Sequence, residues 1–289
     1  MSASTKIEWT RGDDGTAGAT WSPVTGCSAL SPGCDRCYAD SIARRFAGTK
    51  AWPNGFDVTL WPDRLGIPLR WRRPRRIFVC STGDLFHDAV PDDFIAQVFA
   101  VMAACAEHTF MVLTKRHARL CSLVSRGLLD LVDGWADKYG VRVARWPLPN
   151  VWLGVSAENQ QWADIRIPAL LATPAAVRFV SAEPLLGPID VGQSLAKWYP
   201  DDSQPWLGDR LWARDVLHWV IAGGESGIRA RRMDPDWVRA LQEQCHRAGI
   251  AFFFKQAGSM LAREWGCTGK GAEPGDWPEP FPRQFPQVS

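Results

Sequence analysis

Three cysteines stand within eleven residues of this chain, and their type and spacing could do chemistry. Cys27, Cys34 and Cys37 follow the pattern C-x6-C-x2-C in the stretch TGCSALSPGCDRCYAD. Structural zinc sites take four protein ligands, whereas a cubane iron-sulfur cluster held by three thiolates keeps one iron open. No fourth cysteine or histidine follows closely, so the pattern indicates a metal site with a vacancy for a substrate or a cofactor.

A zinc site is the alternative, in which a fourth ligand such as His87 arrives from elsewhere in the chain. The remaining five cysteines stand singly, at Cys80, Cys105, Cys121, Cys245 and Cys267. Because these cysteines stand singly in mostly apolar surroundings, we expect reduced thiols rather than a disulfide framework, as is usual in a reducing cytosol.

Length and composition bound the class of protein. The 289 residues, 46% of them apolar, are enough for one large domain or two small ones. The first residues contain no apolar leader, and no run of eighteen apolar residues occurs without a charge. We therefore expect a soluble cytoplasmic protein with no membrane partner.

Charge is uneven along the chain although the formal net charge is only +2. The first 76 residues hold 12 Lys and Arg against 7 Asp and Glu, and the excess lies in RLGIPLRWRRPRR. Trp71 and Arg72 in this segment could stack on a base and face a phosphate, so we predict a contact with substrate there. A solvated arginine-rich loop is the alternative.

Short β-branched or aromatic runs alternate with helix-like segments from residue 77 onward, after a first strand predicted at 19–24. Helices are predicted at 92–106, 159–172 and 234–248 from their caps and from apolar spacing typical of helices. Such alternation is typical of parallel strands buried on both faces. The further predicted strands are 76–84, 109–116, 150–159, 177–185, 218–226 and 250–256.

This pattern predicts an α/β fold, a full or partial (β/α) barrel, with an open doubly wound sheet as the alternative. We expect one domain over 1–265, with loop insertions at about 48–75 and 187–217. Residues 266–289 are dense in Gly and Pro and are predicted to form an extended C-terminal tail. The first strand would deliver the cysteine loop to its carboxyl end, where α/β barrels place their active sites.

The cysteine loop and the polar strand ends resemble the radical S-adenosylmethionine (SAM) superfamily. More narrowly, the motifs GCDRCYA, TGDLFH, LTKR, GVSAEN, SAEPLLGPI and AGGESG are similar to the phage-associated three-cysteine-motif proteins, and more distantly to spore photoproduct lyase. The chain departs from the common C-x3-C-x2-C loop in its first gap of six residues, and Tyr38 follows the last cysteine where an aromatic usually precedes it.

The resemblance implies that Cys27, Cys34 and Cys37 ligate a 4Fe-4S cluster whose open iron binds SAM. An electron from a reductant such as flavodoxin or ferredoxin then cleaves SAM to a 5'-deoxyadenosyl radical, which abstracts hydrogen from the substrate. His87, Glu183 and Lys255 are expected to act in catalysis beside the three cysteines.

The strand ends would hold SAM and substrate. Residues expected to bind SAM are Tyr38, Ser81, Thr82, Gly83, Asp84, Thr114, Lys115, Ser156, Glu158, Gly223, Gly224 and Glu225. Arg229, Arg231 and Arg232, with Trp71 and Arg72, are expected to bind substrate. Each strand-end carboxylate has an ordinary alternative role as a helix cap or an ion-pair partner.

The expected substrate is a modified thymine-type nucleobase in phage DNA or in a nucleotide, changed by isomerisation or hypermodification in the cytoplasm of the host cell if the protein is phage-encoded. One alternative is a zinc-bearing nucleic-acid-binding protein without catalysis. Another is a metal-dependent hydrolase that uses the strand-end acids and His87.

Overall fold

The computed structural model describes residues 4–12, 14–196 and 215–287 of the chain. Contacts group the chain into two compact units. Unit 1 comprises Met1–Leu30, Ala39–Gly154 and Thr173–Val177, and unit 2 comprises Ser31–Tyr38, Val155–Ala172 and Arg178–Ser289. The single domain over 1–265 stays a prediction.

The fold class is α/β, as predicted. Seven of the strands in the described ranges form one sheet, in the order β1-β4-β5-β6-β7-β8-β9. In unit 1, β1 pairs with β4 and β4 with β5 in parallel; in unit 2, β7 pairs with β8 and β8 with β9 in parallel. The strands are β1 Ala19–Trp21, β2 Val24–Thr25, β3 Thr59–Leu60, β4 Arg76–Val79, β5 Thr109–Thr114, β6 Val151–Ser156, β7 Val177–Ala182, β8 Trp219–Gly223 and β9 Ala251–Gln256.

Helices alternate with these strands, and the three predicted helices are confirmed to within two residues at each end. None of the helices in the described ranges has the length and apolarity that crossing a membrane requires. The helices are α1 Tyr38–Arg45, α2 Asp92–Ala104, α3 His117–Ser125, α4 Leu128–Ala136, α5 Gln160–Leu171, α6 Val191–Ala196, α7 Pro235–Ala248 and α8 Ser259–Glu264.

Local sequence explains these elements. Every residue of β6 and of β8 is buried, as expected for parallel strands covered on both faces. Helix α7 begins after Asp234, whose carboxylate accepts a hydrogen bond from the Asp236 backbone N–H, and it ends at Gly249 in the left-handed conformation. Pro235 occupies the first turn, where no hydrogen-bond donor is needed.

The first predicted strand, 19–24, was wrong as one continuous element. The structure divides it into β1 and β2, and β2 pairs antiparallel with β3 from the predicted insertion 48–75. Pro23 lies between the two strands and cannot donate to a sheet ladder, while its carbonyl accepts from the Trp61 N–H. The insertion therefore contributes a strand of its own to unit 1.

The C-terminal segment packs within unit 2. Arg283 forms an antiparallel bridge with Phe253 in β9. Trp277 and Phe281 are buried, with ring centroids 4.8 Å and 4.5 Å from that of Phe254. Trp277 and Phe281, in the segment 266–289 that was expected as an extended tail, thus form part of the core of unit 2. Of the predicted insertion 187–217, residues 191–196 form α6, and 197–214 lie outside the described residues.

Candidate functional site at the strand ends

Cys27 in unit 1 follows a glycine that close packing requires. Gly26 has φ +83°, and a Cβ there would lie 2.2 Å from the Asp57 carbonyl oxygen. The Gly26 N–H donates to the Thr82 carbonyl at 3.0 Å, and the Cys27 N–H donates to the Phe56 carbonyl at 3.0 Å. These contacts hold the backbone of Cys27 beside the turn that follows β4.

That turn carries the predicted SAM-binding residues Ser81, Thr82 and Gly83, all partly exposed. It begins at Cys80, a non-glycine residue with φ +54°, whose N–H donates to the Trp21 carbonyl at 2.8 Å. Burial raises the pKa of the Cys80 thiol to about 12, so it stays protonated at neutral pH. Cys80 is a core residue.

Asp84 is buried, and donors within unit 1 engage its carboxylate. Its Oδ1 accepts from the Phe86 N–H at 3.0 Å and lies 2.7 Å from the Thr114 hydroxyl. Its Oδ2 lies 2.9 Å from the same hydroxyl and accepts from the Lys115 N–H at 3.1 Å. Asp84 therefore joins the turn after β4 to the end of β5.

His87 lies in a polar cluster with Ser28 and Arg116. Its Nδ1 accepts from the Ala89 N–H at 3.1 Å, and its Nε2 lies 2.8 Å from Ser28 Oγ. Arg116 donates to the same Ser28 oxygen at 2.7 Å and to Asp88 at 2.9 Å. Burial, followed by the charge of Arg116, lowers the pKa of His87.

The tautomer of His87 follows from these partners. Because Nδ1 accepts a backbone N–H, the proton of the neutral ring lies on Nε2. His87 is then a hydrogen-bond donor toward Ser28, and Nε2 has no lone pair with which to remove the hydroxyl proton.

Trp71 and Arg72, also in unit 1, lie away from the turn after β4 that carries Ser81 to Asp84. They precede the first residue of β4, whereas Ser81 to Asp84 follow its last, so the two groups lie at opposite ends of the strand. The Trp71 ring packs near His108, at 6.0 Å between centroids, and beneath the guanidinium of Arg75 at 5.5 Å. Arg72 is exposed.

Cys34 and Cys37 lie in unit 2 on a tight loop. A 3-10 turn spans Pro32–Cys34, and the Cys37 N–H donates to the Cys34 carbonyl at 3.2 Å. The Ser31 hydroxyl lies 4.0 Å from the Cys34 sulfur. Both cysteines are partly exposed, and α1 begins directly after them at Tyr38.

Glu158 and Arg166 form a fully buried ion pair in unit 2. Both side chains have an exposed fraction of 0%, and Arg166 donates to Glu158 Oε2 at 3.0 Å. Arg166 also donates to the carbonyl of Ser156, the buried last residue of β6, at 2.9 Å. The other oxygen, Glu158 Oε1, accepts the backbone N–H of Gly33 at 3.2 Å.

Glu225 and Arg231 form a second pair in the same unit. The Arg231 side chain donates to both carboxylate oxygens of Glu225, and its backbone N–H donates to Oε2 at 2.7 Å. Burial alone would raise the pKa of Glu225, but the hydrogen bonds from Arg231 outweigh it and lower the pKa. Arg36 Nη1 lies 3.7 Å from Glu225 Oε2. The Arg36 guanidinium also donates a hydrogen bond to the Arg229 carbonyl.

Glu183 and Lys255 meet at the carboxyl ends of β7 and β9. Lys255 Nζ lies 2.8 Å from Glu183 Oε1, and the Ser181 hydroxyl donates to Glu183 Oε2 at 3.1 Å. Both charged side chains remain partly exposed, Lys255 at 19% and Glu183 at 14%. Although half of Tyr38 is exposed, burial around its hydroxyl, followed by the charges of Cys37 and Glu183, raises its pKa.

Gly223, the last residue of β8, and Gly224 directly after it have close neighbours. A Cβ at Gly223 would lie 2.9 Å from Glu183 Oε1, so the absence of a side chain at this glycine leaves room for the Glu183 carboxylate. A Cβ at Gly224 would lie 2.2 Å from the Ala257 carbonyl oxygen, so backbone packing requires this glycine. Arg232 pairs with Glu264 at 2.8 Å, while Arg229 is exposed. The adenine and substrate contacts assigned to these positions stay predictions.

The predicted residues thus form local groups within each unit. Unit 1 holds Cys27, Trp71, Arg72, Ser81, Thr82, Gly83, Asp84, His87, Thr114 and Lys115, and unit 2 holds the other predicted residues. Sequence reasoning missed Ser28, Gly33, Arg36 and Arg166. The first three lie inside or beside the cysteine stretch, which was their signal, whereas Arg166 looked like an ordinary helix residue.

All eight cysteines lie in the described part of the chain, and none of them is disulfide-bonded. Within residues 4–12, 14–196 and 215–287, no group of three or more His, Cys, Asp or Glu side chains is arranged to hold a metal ion. The cluster therefore stays a prediction from the identity and spacing of the thiols.

Parallel strands with carboxylates, cations and glycines at their carboxyl ends define an α/β protein with a candidate strand-end site in each unit. The chain belongs to the family described as DUF5131, a protein of unknown function, whose model matches residues 4–277. No curated protein and no solved structure matches the chain.

Proposed function

We propose that this protein is a radical SAM enzyme. The observation that carries the proposal is the set of three partly exposed thiols, Cys27, Cys34 and Cys37, within eleven residues and free of disulfides. Cys80, Cys105 and Cys245 are instead buried. The three accessible thiols suit a 4Fe-4S cluster by donor chemistry, and the parallel α/β sheet is compatible with a partial barrel of the radical SAM type.

When bound, the cluster and SAM would supply a one-electron cleavage of SAM and a radical that removes hydrogen from a substrate. The chain itself must hold, orient and shield these groups. Cys27, Cys34 and Cys37 would hold the cluster, and Ser81, Thr82 and Gly83 form a partly exposed backbone turn suited to the amino acid part of SAM.

Lys255 and Glu183 are the best-placed polar groups for substrate in unit 2. Their ion pair fixes Lys255 Nζ at 2.8 Å from Glu183 Oε1, yet both remain accessible. Lys255 can donate a hydrogen bond to a carbonyl or carboxylate oxygen, and Glu183 can accept one from an N–H or a hydroxyl. A thymine-type base presents both kinds of partner at its edge.

We further propose a modified thymine-type nucleobase, in DNA or in a nucleotide, as substrate, changed by isomerisation or hypermodification. The exposed arginines Arg70, Arg72 and Arg73 support a nucleic-acid partner because guanidinium groups pair well with phosphate. Flavodoxin or ferredoxin is the proposed class of reductant. A phage origin, with action in the host cytoplasm, belongs to the same proposal.

The alternative of a metal-dependent hydrolase would use the strand-end acids and His87. The Ala89 N–H occupies Nδ1, and Nε2 carries the proton of the neutral ring, so this geometry does not suit base catalysis on Ser28. The zinc alternative differs from the proposal in the metal bound, which can be measured directly.

The test is anaerobic purification followed by assay of iron, sulfide and zinc, and of 5'-deoxyadenosine formed from SAM with dithionite. Wild type should contain iron and sulfide and cleave SAM. The triple variant Cys27→Ala, Cys34→Ala, Cys37→Ala should lose both, while Cys121→Ala, a partly exposed thiol outside the motif, should retain both. Colourless wild-type protein with stoichiometric zinc, or SAM cleavage that survives in the triple variant, would overturn the proposal.

A further inference from the structure

We propose that Glu158 and Glu225, with Arg166 and Arg231, are positioning residues that fix the loop carrying Cys34 and Cys37. The sequence suggested instead that Glu158 and Glu225 bind SAM and that Arg231 binds substrate. This inference rests on the proposed function only for the identity of the metal that the loop receives. All the contacts that carry it lie inside unit 2.

The first contact fixes the residue before Cys34. Glu158 is fully buried, with one oxygen on Arg166 and the other on the Gly33 N–H. Hydrogen bonds to an ionised carboxylate are about twice as strong as those between neutral groups. A carboxylate with no exposed surface and protein donors on both oxygens holds the loop and is closed to a ligand arriving from solvent.

The second contact holds the loop on both sides of Cys34. Arg231 donates from Nη2 to the Pro32 carbonyl at 2.9 Å, and its Nη1 lies 3.5 Å from the Asp35 carboxylate. Glu225 fixes the rotamer of this arginine by accepting from its side chain and from its backbone. The planar guanidinium therefore bridges the residues before and after the cysteine with little freedom.

Arg36 adds a third connection on the far side of Cys34. Its guanidinium lies near Glu225 and donates to the Arg229 carbonyl. Fixing the backbone of a loop residue costs conformational entropy. Because protein contacts already order this loop, little of that cost falls on metal binding, and the thiol positions are preorganised.

Gly33 offers a way to test this arrangement while leaving the buried ion pair in place. A Cβ at Gly33 would lie 3.2 Å from Glu158 Cδ and 3.4 Å from both carboxylate oxygens. Glu158 is held by buried Arg166 and cannot easily retreat. Gly33→Ala should therefore displace the loop, whereas Glu158→Gln leaves a buried arginine uncompensated and risks unfolding.

The experiment measures thiol alkylation in the metal-free full-length protein. Iodoacetamide rates at Cys34 and Cys37 are mapped by mass spectrometry, with Cys121 as the internal reference. Test variants are Gly33→Ala and Arg231→Gln. Matched controls are Gly134→Ala, where a Cβ meets nothing within 4 Å, and Arg239→Gln, an exposed arginine paired with Glu279.

Both test variants should alkylate Cys34 several-fold faster than wild type relative to Cys121, at a temperature well below the unfolding midpoint measured for each variant. The controls should match the wild-type alkylation rate at Cys34. Arg231→Lys keeps the charge but lacks the planar fork, so it should fall between wild type and Arg231→Gln. Folded Gly33→Ala and Arg231→Gln proteins with wild-type alkylation rates would show that these residues do not position the loop.

A second readout separates this inference from the proposed function. After anaerobic reconstitution, bound iron and the electron paramagnetic resonance spectrum of the reduced protein, with and without SAM, are compared among the variants. If wild type binds an iron-sulfur cluster, Gly33→Ala should bind several-fold less iron, and equal loading would contradict the positioning role. If wild type binds only zinc, the proposed function fails, and faster Cys34 alkylation would still support the positioning role.

Discussion

The Thr114 hydroxyl lies 2.7 Å and 2.9 Å from the two carboxylate oxygens of Asp84, and both residues are buried. This contact joins the turn after β4 to the end of β5, the neighbouring parallel strand in unit 1. The Lys115 N–H donates to the same carboxylate, so Asp84 also orients the start of the segment that leads to Arg116. Asp84 therefore has a structural role in the turn where the sequence predicted a ligand for SAM.

Asp84→Asn should destabilise the protein by about 1–3 kcal/mol, because an amide NH₂ would replace an oxygen that accepts hydrogen bonds in a buried site. Thr114→Val preserves shape but removes both the hydroxyl donor to Asp84 and the acceptor of the Arg116 N–H, so it should also destabilise the protein by about 1–3 kcal/mol. Urea denaturation of both single variants and the double variant measures their coupling. Strictly additive losses would show that the two side chains do not act together.

Gly224→Ala should destabilise unit 2 by roughly 1–3 kcal/mol or more, because the new methyl would overlap the Ala257 backbone. Gly134→Ala makes the same chemical change inside α4 in open space. It should stabilise the protein by about 0.5–1 kcal/mol through helix propensity. Thermal unfolding distinguishes the two; equal effects would contradict the packing assigned to Gly224.

The stability of the protein should fall as pH is lowered through the range in which free histidine titrates. Burial, followed by the charge of Arg178, lowers the pKa of His218, whose Nδ1 accepts the Arg178 N–H at 3.1 Å. The unfolded chain then takes up the proton first, near pH 6.5, and proton uptake favours unfolding.

The variant His218→Asn tests this origin of the pH dependence, since its amide oxygen can accept the same N–H without titrating. Unfolding free energies of both proteins are compared between about pH 7 and pH 5. The variant should lose less stability over this range than wild type. An unchanged pH dependence would assign the loss to other groups.

Replacing Arg70, Arg72 and Arg73 together by Gln should weaken DNA binding and reduce the salt slope of the binding constant by up to about 3, near 0.9 for each phosphate that is no longer neutralised. All three arginines are exposed. The control removes the same charge at the exposed positions Arg126, Arg142 and Arg145. Equal losses of affinity in both triple variants would indicate a general charge effect rather than a binding surface.

Local sequence determined most of the fold. The strand at 109–116 could be predicted because a buried parallel strand is a short apolar run. The helix at 234–248 could be predicted because its sequence contains its own cap and stop signals. The pairing of β2 with β3 could not be predicted, since residues 24–25 and 59–60 are far apart in the sequence and each strand is only two residues long. The core position of Trp277 and Phe281 was hidden for a related reason, because a Gly- and Pro-rich composition predicts an extended tail.

For the site, the sequence by itself determined which residues have reactive side chains and that they lie at or after the ends of strands: the three thiols, Asp84, Glu158 and Lys255. Only the tertiary structure decided what those side chains contact. It placed Glu158 on Arg166 and the Gly33 backbone, and Asp84 on Thr114, while leaving Glu183 and Lys255 accessible. The physical reason is that a carboxylate at a strand end can be satisfied by a ligand or by the protein, and the choice depends on donors distant in the chain that folding brings near.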